Sequence, residues 1–175
     1  MKFKKLVTVI VAAFAICVMF GLPCEASATT KATTKEDKAE KREYTASELR
    51  YMTSIIYCEA RGESFAGQKA VGIVVMNRMR SDLFPNTVKE VIYQRGQFSP
   101  VRNGYMRNAL KIYDKQKKNK KWSSDMKSCR KAAIQALEGS TVIKVDGKKK
   151  QMEQYLFFSR YVRGAKYKLG GHQFK

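Results

Sequence analysis

A long apolar segment in the middle of the sequence constrains the fold more than any other feature. Within the segment 66–79, residues 70–76 are almost continuously apolar. This stretch is too long for an ordinary strand. Its alanine and glycine residues suit close packing against neighbouring elements. The segment therefore predicts a buried helix at the centre of the domain.

A second helix is predicted just before this segment. Thr45-Ala46-Ser47-Glu48 has the form of a capping box, in which a hydroxyl and a glutamate satisfy free backbone N–H groups at a helix start. Leu49, Met52, Ile56 and Ala60 follow at spacings of three and four, which places them on one apolar stripe. Gly62 supplies a stop signal.

The rest of the domain is predicted to be mainly helical with a short β element. Residues 84–87 predict a turn before a short helix, residues 96–100 an irregular segment, and residues 115–121 a lysine-rich loop. Residues 141–145 and the aromatic run 155–158 predict two strands around a turn at Asp146-Gly147. The inward-facing positions of the three further helices are Val88, Val91 and Ile92, then Met106, Ala109, Leu110 and Tyr113, then Met126, Cys129, Ala133, Ala136 and Leu137. The fold class is α+β, mainly α.

The N-terminal residues have the pattern of a secretory leader. Residues 1–28 begin with lysines, continue with an apolar run and end in Ala26-Ser27-Ala28, a small-residue cleavage site. Residues 29–44 are polar and lack apolar periodicity, which predicts a disordered linker, and residues 45–175 form the folded domain. A retained membrane anchor is the alternative. The leader predicts a secreted protein that is free of the membrane after cleavage.

The chain is strongly basic, with 35 Lys and Arg against 15 Asp and Glu, a formal net charge of +20. Such a field suits a polyanionic partner. Export disfavours nucleic acid, the lack of a basic amphipathic helix disfavours lipid, and the anionic bacterial wall fits both export and charge. Alternatively, the lysines of residues 115–121 and 148–150 are solvated loop charges.

Cysteine and histidine are too scarce for a zinc site. The single His excludes sites with two imidazoles, and the two cysteines after the leader cannot complete a four-cysteine site. No metal or other cofactor is expected. Cys58 and Cys129, on two helices of one core in an exported chain, form either a disulfide or free buried thiols.

Glu59 is the strongest candidate for chemistry. It follows Ile56 by three residues and Ile55 by four, so a helix points its carboxyl along the apolar stripe. Partial desolvation raises a carboxyl pKa, as a general acid near neutral pH requires. The alternative is a glutamate that pairs with Arg61 at the helix end.

Several motifs in order resemble one family. They are residues 56–63 (Ile-Tyr-Cys-Glu-Ala-Arg-Gly-Glu), 67–71, 76–78, 84–87, 97–99, the aromatic run 155–158 and the closing residues 170–174. Together they resemble the SleB/CwlJ-type cell-wall hydrolases, the spore cortex-lytic enzymes, over roughly residues 49–174.

The resemblance implies a small lysozyme-like, transglycosylase-like domain that cuts the glycan of peptidoglycan in the wall or the spore cortex, with Glu59 as the catalytic acid. It also implies lytic transglycosylase chemistry, in which one carboxyl suffices because the muramic C6 hydroxyl, not water, closes a 1,6-anhydro ring. The sequence offers no obvious second carboxylate, since Gly62 separates Glu59 from Glu63. We expect a monomer.

Further residues are candidates for substrate contact. Gln97, Phe98 and Ser99 lie in an irregular segment where polar groups could bind sugar hydroxyls, and Tyr155 could contact glycan. Each has a structural alternative, as a loop tie or a core residue. His172 is expected to be structural.

Two other functions remain open from the residues. One is a wall peptidase or amidase with Cys58 as nucleophile and His172 as base, although Cys58 falls near a helix C-terminus, where the dipole disfavours a thiolate. The other is a non-enzymatic cationic wall-binding protein, in which Glu59 on an apolar stripe has no purpose.

Overall fold

The computed structural model describes residues 41–175, which form six helices and two small sheets. The helices are α1 (Ala46–Ala60), α2 (Phe65–Arg80), α3 (Val88–Tyr93), α4 (Ser99–Arg102), α5 (Tyr105–Lys118) and α6 (Ser124–Leu137). The strands are β1 (Val142–Val145), β2 (Lys148–Gln151), β3 (Phe158–Ser159), β4 (Tyr167–Leu169) and β5 (His172–Phe174). The predicted leader and most of the predicted linker lie outside the described residues.

Helix α1 begins as its sequence predicts. The Thr45 side chain accepts a hydrogen bond from the Glu48 backbone at 3.1 Å, and the Glu48 carboxylate accepts one from the Thr45 backbone at 2.8 Å. These two bonds complete the capping box. Every member of the predicted apolar stripe is buried.

Helix α2 is the centre of the core, as the apolar run predicts. All of residues 70–78 are buried, and α6 packs across both α1 and α2. The close approach depends on Gly72, where an added Cβ would lie 2.9 Å from Ala136 Cβ and 3.1 Å from Ile56 Cδ1. The helices therefore meet at a point with no room for a side chain.

The β structure differs from the prediction. β1 pairs with β2, around the predicted Asp146-Gly147 turn, and not with the aromatic run. In the second sheet β5 lies between β3 and β4, all antiparallel. Residues 155–157 form no strand, because side chains of α2 bind backbone carbonyls in and just before this run.

Two side chains of α2 make those bonds. Asn77 Nδ2 donates to the carbonyls of Met152 at 2.7 Å and Tyr155 at 2.9 Å. Arg78 Nε donates to the carbonyl of Leu156 at 2.6 Å. The aromatic run is thus fixed to the central helix by side chains in place of a ladder.

Two loop predictions also need correction. Helix α5 extends to Lys118, so the first lysines of the predicted loop are helical, and Ser99 and Pro100 open the one-turn helix α4.

Across residues 41–175, the helices are too short or too polar to traverse a lipid bilayer.

Candidate active site

A cavity of about 530 Å³ lies where the end of α1, the α3–α4 segment and the second sheet meet. Glu59 lies on its wall, and the predicted residues Gln97, Phe98 and Ser99 lie on it too. The remaining lining residues are Cys58, Arg78, Gly96, Arg102, Phe158, Ser159, Arg160 and His172. The four predicted candidates come from two segments that are distant in sequence, and they share one cavity.

The end of α1 that carries Glu59 is held by Gln68 of α2. Gln68 Nε2 donates to the carbonyls of Arg61 at 3.3 Å and Glu63 at 3.2 Å. Ser128 of α6 in turn donates to Gln68 Oε1 at 2.6 Å. These bonds satisfy carbonyls beyond the helix end and fix the direction in which Glu59 projects.

The Glu59 carboxyl has no hydrogen-bond or ion-pair partner within residues 41–175. Arg61, the alternative partner, instead lies over the Tyr57 ring, 5.3 Å from its centroid. Burial raises the pKa of Glu59 above its ordinary value of 4.5. The group is therefore a half-buried carboxyl that holds its proton to higher pH than an exposed one.

Arg78 forms part of the cavity wall beside the aromatic residues. Its residue exposure is 3%, and its guanidinium lies 5.1 Å from the Phe84 ring centroid and 5.3 Å from those of Phe98 and Phe157. Burial lowers the pKa of Arg78 to about 10, which leaves it charged at neutral pH. With Arg102 and Arg160 it makes the lining cationic.

The segment with Gln97, Phe98 and Ser99 is shaped by Gly96. Its φ of +82° is the left-handed conformation that favours glycine. Phe98 is 5% exposed, and its ring packs against Phe158 with centroids 6.1 Å apart. The segment thus has a fixed aromatic anchor between polar residues that reach the cavity.

Tyr155 does not reach the cavity, contrary to the prediction. Its exposure is 1%, and its ring packs edge-on against Phe174 with centroids 6.1 Å apart. Tyr155 is a core residue because Asn77 binds its carbonyl and draws the segment inward.

Cys58 and His172 both line the cavity, so the two residues of the peptidase alternative are brought together. Burial, followed by the nearby charge of Glu59, raises the pKa of the Cys58 thiol to about 12. Burial also lowers the pKa of His172, although the Glu63 carboxylate opposes this. A protonated thiol and a neutral imidazole do not form the ion pair of a cysteine peptidase.

The structure shows Cys58 and Cys129 as free thiols, so the disulfide that the sequence allowed is not formed in it. Cys129 is fully buried in α6, and burial raises the pKa of its thiol to about 12 as well. Both side chains act here as small apolar packing groups.

The Glu63 carboxylate makes a backbone contact outside the cavity. Its carboxylate accepts a hydrogen bond from the Gly171 backbone at 3.3 Å, which ties the α1–α2 connection to the turn between β4 and β5. Gly170 has a φ of +55°, and a Cβ there would collide with Glu63 Oε2. Glu63 is therefore a structural contact, and Glu59 is the one carboxyl among the described residues that line the cavity.

Within residues 41–175, no three His, Cys, Asp or Glu side chains cluster as a metal site requires. The titratable and polar side chains of the cavity lining are one carboxyl, three guanidinium groups, an imidazole, a thiol and neutral polar groups.

Comparison with family models assigns most of the described residues to one family. A family model described as cell wall hydrolase matches residues 62–174, well over half of the chain. The chain belongs to the cell wall hydrolase family. The match begins three residues after Glu59, so the candidate acid lies just outside it.

Two spore cortex-lytic enzymes are similar to part of this chain. Spore cortex-lytic enzymes from Oceanobacillus iheyensis and Bacillus subtilis are 43% identical over 61 residues and 42% identical over 57 residues. These matches cover 35% and 33% of the chain but only 22% and 19% of the relatives.

Two solved structures resemble this cell wall hydrolase more broadly. The catalytic domain of the germination-specific lytic transglycosylase SleB from Bacillus anthracis has a TM-score of 0.51 and 25% identity, over 75% of this chain and 95% of that one. The SleB catalytic domain from Bacillus cereus has a TM-score of 0.53 and 25% identity, over 75% and 91%. These neighbours confirm the predicted α+β, mainly α, lysozyme-like fold.

The sequence patterns do not single out the three arginines that line the cavity of this family member, Arg78, Arg102 and Arg160. Arg78 lies in the motif at residues 76–78, but Arg80 follows it in the same last turn of α2, so the sequence does not distinguish the buried arginine from the exposed one. Arg102 and Arg160 carry no signal of their own. His172, for which the sequence predicts a structural role, lines the cavity, and its buried Nδ1 has no partner within the described residues.

Proposed function

We propose that this chain is a secreted enzyme that cleaves the glycan strands of peptidoglycan, in the wall or the spore cortex, with Glu59 as general acid. The observation that carries the proposal is the state of Glu59: a half-buried carboxyl, without an ionic partner within residues 41–175, on the wall of a cavity with polar lining. Family membership and the likeness to SleB catalytic domains support it.

The first chemical step follows from the raised pKa of Glu59. The protonated carboxyl donates its proton to the glycosidic oxygen as the C1–O bond breaks, so the leaving sugar departs as an alcohol. Positive charge then develops at C1 of the muramic residue. The Glu59 carboxylate left behind is half-buried, and because burial raises its pKa it readily accepts a proton again.

The second step needs a nucleophile at C1. The C6 hydroxyl of the same muramic sugar attacks C1, its proton passes to the Glu59 carboxylate, and a 1,6-anhydro ring closes. Glycosidases that use water normally need two carboxyl groups. Since the described lining residues supply one, lytic transglycosylase chemistry is favoured over hydrolysis.

The neutral polar residues and the arginines position the substrate. The Gln97 and Ser99 side chains offer hydrogen bonds to sugar hydroxyl or acetamido groups, and Phe98 keeps the segment in place. The guanidinium groups of Arg102 and Arg160 suit the carboxylates of peptide stems. Peptidoglycan carries both the sugar groups and the peptide carboxylates that these two sets of side chains would bind.

The peptidase alternative is less favoured, although Cys58 and His172 share the cavity. A thiol whose pKa is raised to about 12 has little thiolate at neutral pH. The non-enzymatic alternative leaves a half-buried, unpaired Glu59 without a role, and such a group lowers the stability of a pure binding protein.

Product analysis of digested sacculi tests the proposal. Wild-type protein should release muropeptides with 1,6-anhydro ends, detected by mass spectrometry. Glu59→Gln should keep the fold but lose nearly all cleavage, by on the order of 10²-fold or more, because an amide cannot donate the proton. Glu63→Gln is the matched control and should keep most activity. Reducing ends would indicate a hydrolase, altered stems a peptidase, and an active Glu59→Gln variant would exclude Glu59 as the acid.

A further inference from the structure

A second cavity, of about 360 Å³, lies between the start of α2, α6 and the β1–β2 hairpin. It shares no lining residue with the Glu59 cavity. Its wall combines three amines with neutral polar groups and one aromatic ring: Lys69, Lys144, Lys149, Gln135, Ser140 and Phe65. No carboxylate lines it among the described residues.

The hairpin contributes two of these amines from directly opposed positions. Lys144 of β1 and Lys149 of β2 are cross-strand partners in the register. Opposed residues of an antiparallel pair point to the same face, and like charges there destabilise the pair. The hairpin therefore presents a repulsive pair of cations toward the cavity.

The third amine adds to the repulsion. Lys69 projects from α2 into the same cavity and is half-buried. Burial and the charge of Lys144 both lower the pKa of Lys69. Within residues 41–175, none of the three lysines forms a salt bridge. A bound anion would offset both repulsions, the one between Lys144 and Lys149 and the one between Lys69 and Lys144. Unfavourable local arrangements of this kind are typical of functional sites.

The cationic surface continues along α6. Lys131 lies over the Phe65 ring, 5.5 Å from its centroid, and also lines a neighbouring cavity of about 390 Å³. That cavity adds Lys127 and Arg130 and shares Gln135 with the cavity that contains Lys69. One carboxylate, Glu138, also lines it, and this group is paired with Lys41 at 3.2 Å. Two adjoining cavities with six cations form a track, which fits a polymer with repeated charges better than a single small anion.

Each aromatic ring of the track has a cation on one face. Lys131 lies over the Phe65 ring, which is 37% exposed. Arg130 lies over the Trp122 ring, 5.6 Å from its centroid, and Trp122 also packs against Tyr113. Single-stranded nucleic acid needs open aromatic faces for its bases. A polyol or sugar phosphate chain needs only ammonium groups for its phosphates and apolar or hydroxyl contacts between them.

We propose that the track formed by Lys69, Lys144, Lys149, Lys131, Lys127 and Arg130 binds the phosphodiester groups of an anionic cell-wall polymer with a polyol or sugar backbone. Lys69, Lys144 and Lys149 form its central phosphate site, and Ser140 and Gln135 donate hydrogen bonds beside them. Binding there holds the enzyme on the wall while leaving the Glu59 cavity open to glycan.

Calorimetric titration with a defined glycerol phosphate oligomer tests the central site. The variant with Lys69→Gln, Lys144→Gln and Lys149→Gln should bind on the order of tenfold more weakly than wild type, since three attractive contacts of modest strength are lost. The matched control carries Lys117→Gln, Lys118→Gln and Lys121→Gln, which removes the same charge from the exposed end of α5 and the residues after it. It should bind nearly as tightly as wild type.

If both triple variants bound the oligomer equally weakly, the overall positive charge of the protein, and not this site, would account for binding. Equally tight binding of polyglutamate would overturn the phosphate assignment, and tighter binding of single-stranded DNA would overturn the wall polymer. The Lys69→Gln single variant, with its melting temperature, separates lost binding from misfolding. Because the titration involves no cleavage, its failure leaves the role of Glu59 untouched, and an inactive Glu59→Gln variant leaves this site untouched.

Discussion

At the scale of single residues, Glu59 combines two features that a structural glutamate avoids. It is half-buried, and within the described residues no base pairs with it although three arginines line the same cavity. Its place in the last turn of α1 works in the same direction as burial, because the negative end of the helix dipole disfavours a carboxylate. Selection for stability alone would remove such a group, whereas acid catalysis requires it.

The raised pKa of Glu59 predicts a characteristic pH dependence of stability. The folded protein holds the Glu59 proton more tightly than the unfolded chain, so ionisation costs stability as pH rises from 4.5 through the folded-state pKa. Glu59→Gln lacks this cost. The variant should therefore gain stability relative to wild type over that window, and the gain should stay constant above it. Melting temperatures of both proteins across the window check this, and a difference independent of pH would contradict it.

Cys58 should be dispensable for cleavage. Its thiol pKa of about 12 leaves it protonated at neutral pH, so Cys58→Ser should retain activity within a few-fold of wild type. Anhydromuropeptide release per folded protein is the measurement, with Cys58→Ala as a companion that lacks the hydroxyl. A folded Cys58→Ser protein without any activity would restore the cysteine peptidase.

At the scale of secondary structure, the patterns in single segments predicted the helices well. The capping box, the apolar stripe of α1 and the continuous apolar run of α2 are local signals, and each element lies where its signal indicates. The second sheet was missed because its strands have two or three residues and depend on partners elsewhere. The aromatic run looked like a strand because the bonds from Asn77 and Arg78 are invisible in a local pattern.

The candidate site shows the same division between local and distant information. Glu59 could be singled out because its own helix pattern places a carboxyl on an apolar stripe. Arg78 could not, because its guanidinium rests on Phe84, Phe98 and Phe157, which only the fold brings together. The burial of Tyr155 is likewise not visible in its own segment, because it depends on the bond from Asn77.

The contact between helices at Gly72 predicts a sharp effect of one methyl group. Gly72→Ala gains helix propensity but places a Cβ 2.9 Å from Ala136 Cβ, which cannot move without its backbone. We expect a net loss of about 1 kcal/mol and a melting temperature lower by roughly 3 °C. Gly62→Ala, with no atom within 4 Å of the added Cβ, is the control and should change little. A more stable Gly72→Ala protein would show that α2 and α6 can separate easily.

At the scale of the whole molecule, positive charge is unevenly distributed. Residues 111–175 contain 18 basic and five acidic residues, whereas residues 45–110 contain nine and five. The first group includes α6 and the hairpin, which supply most of the proposed phosphate track, while the Glu59 cavity draws most of its lining from the second group and from the second sheet. Attachment and cleavage are thus assigned to different surfaces, so they should respond differently to conditions that affect charge.

Salt should separate those two surfaces. Raising the salt concentration from near 0.1 M toward 1 M shortens the Debye length from about 10 Å to about 3 Å, which screens exposed lysines far more than the half-buried Glu59. Binding to purified sacculi should therefore weaken steeply across this range, while cleavage of a short, soluble, uncharged glycan should change much less. Sedimentation with sacculi and product release from the soluble glycan measure the two quantities on the same protein.

The variant that lacks Lys69, Lys144 and Lys149 should show a shallower salt dependence of sedimentation than wild type, because fewer counterions are exchanged. If sedimentation did not change with salt in either protein, retention on the wall would have to come from the glycan contacts around Glu59.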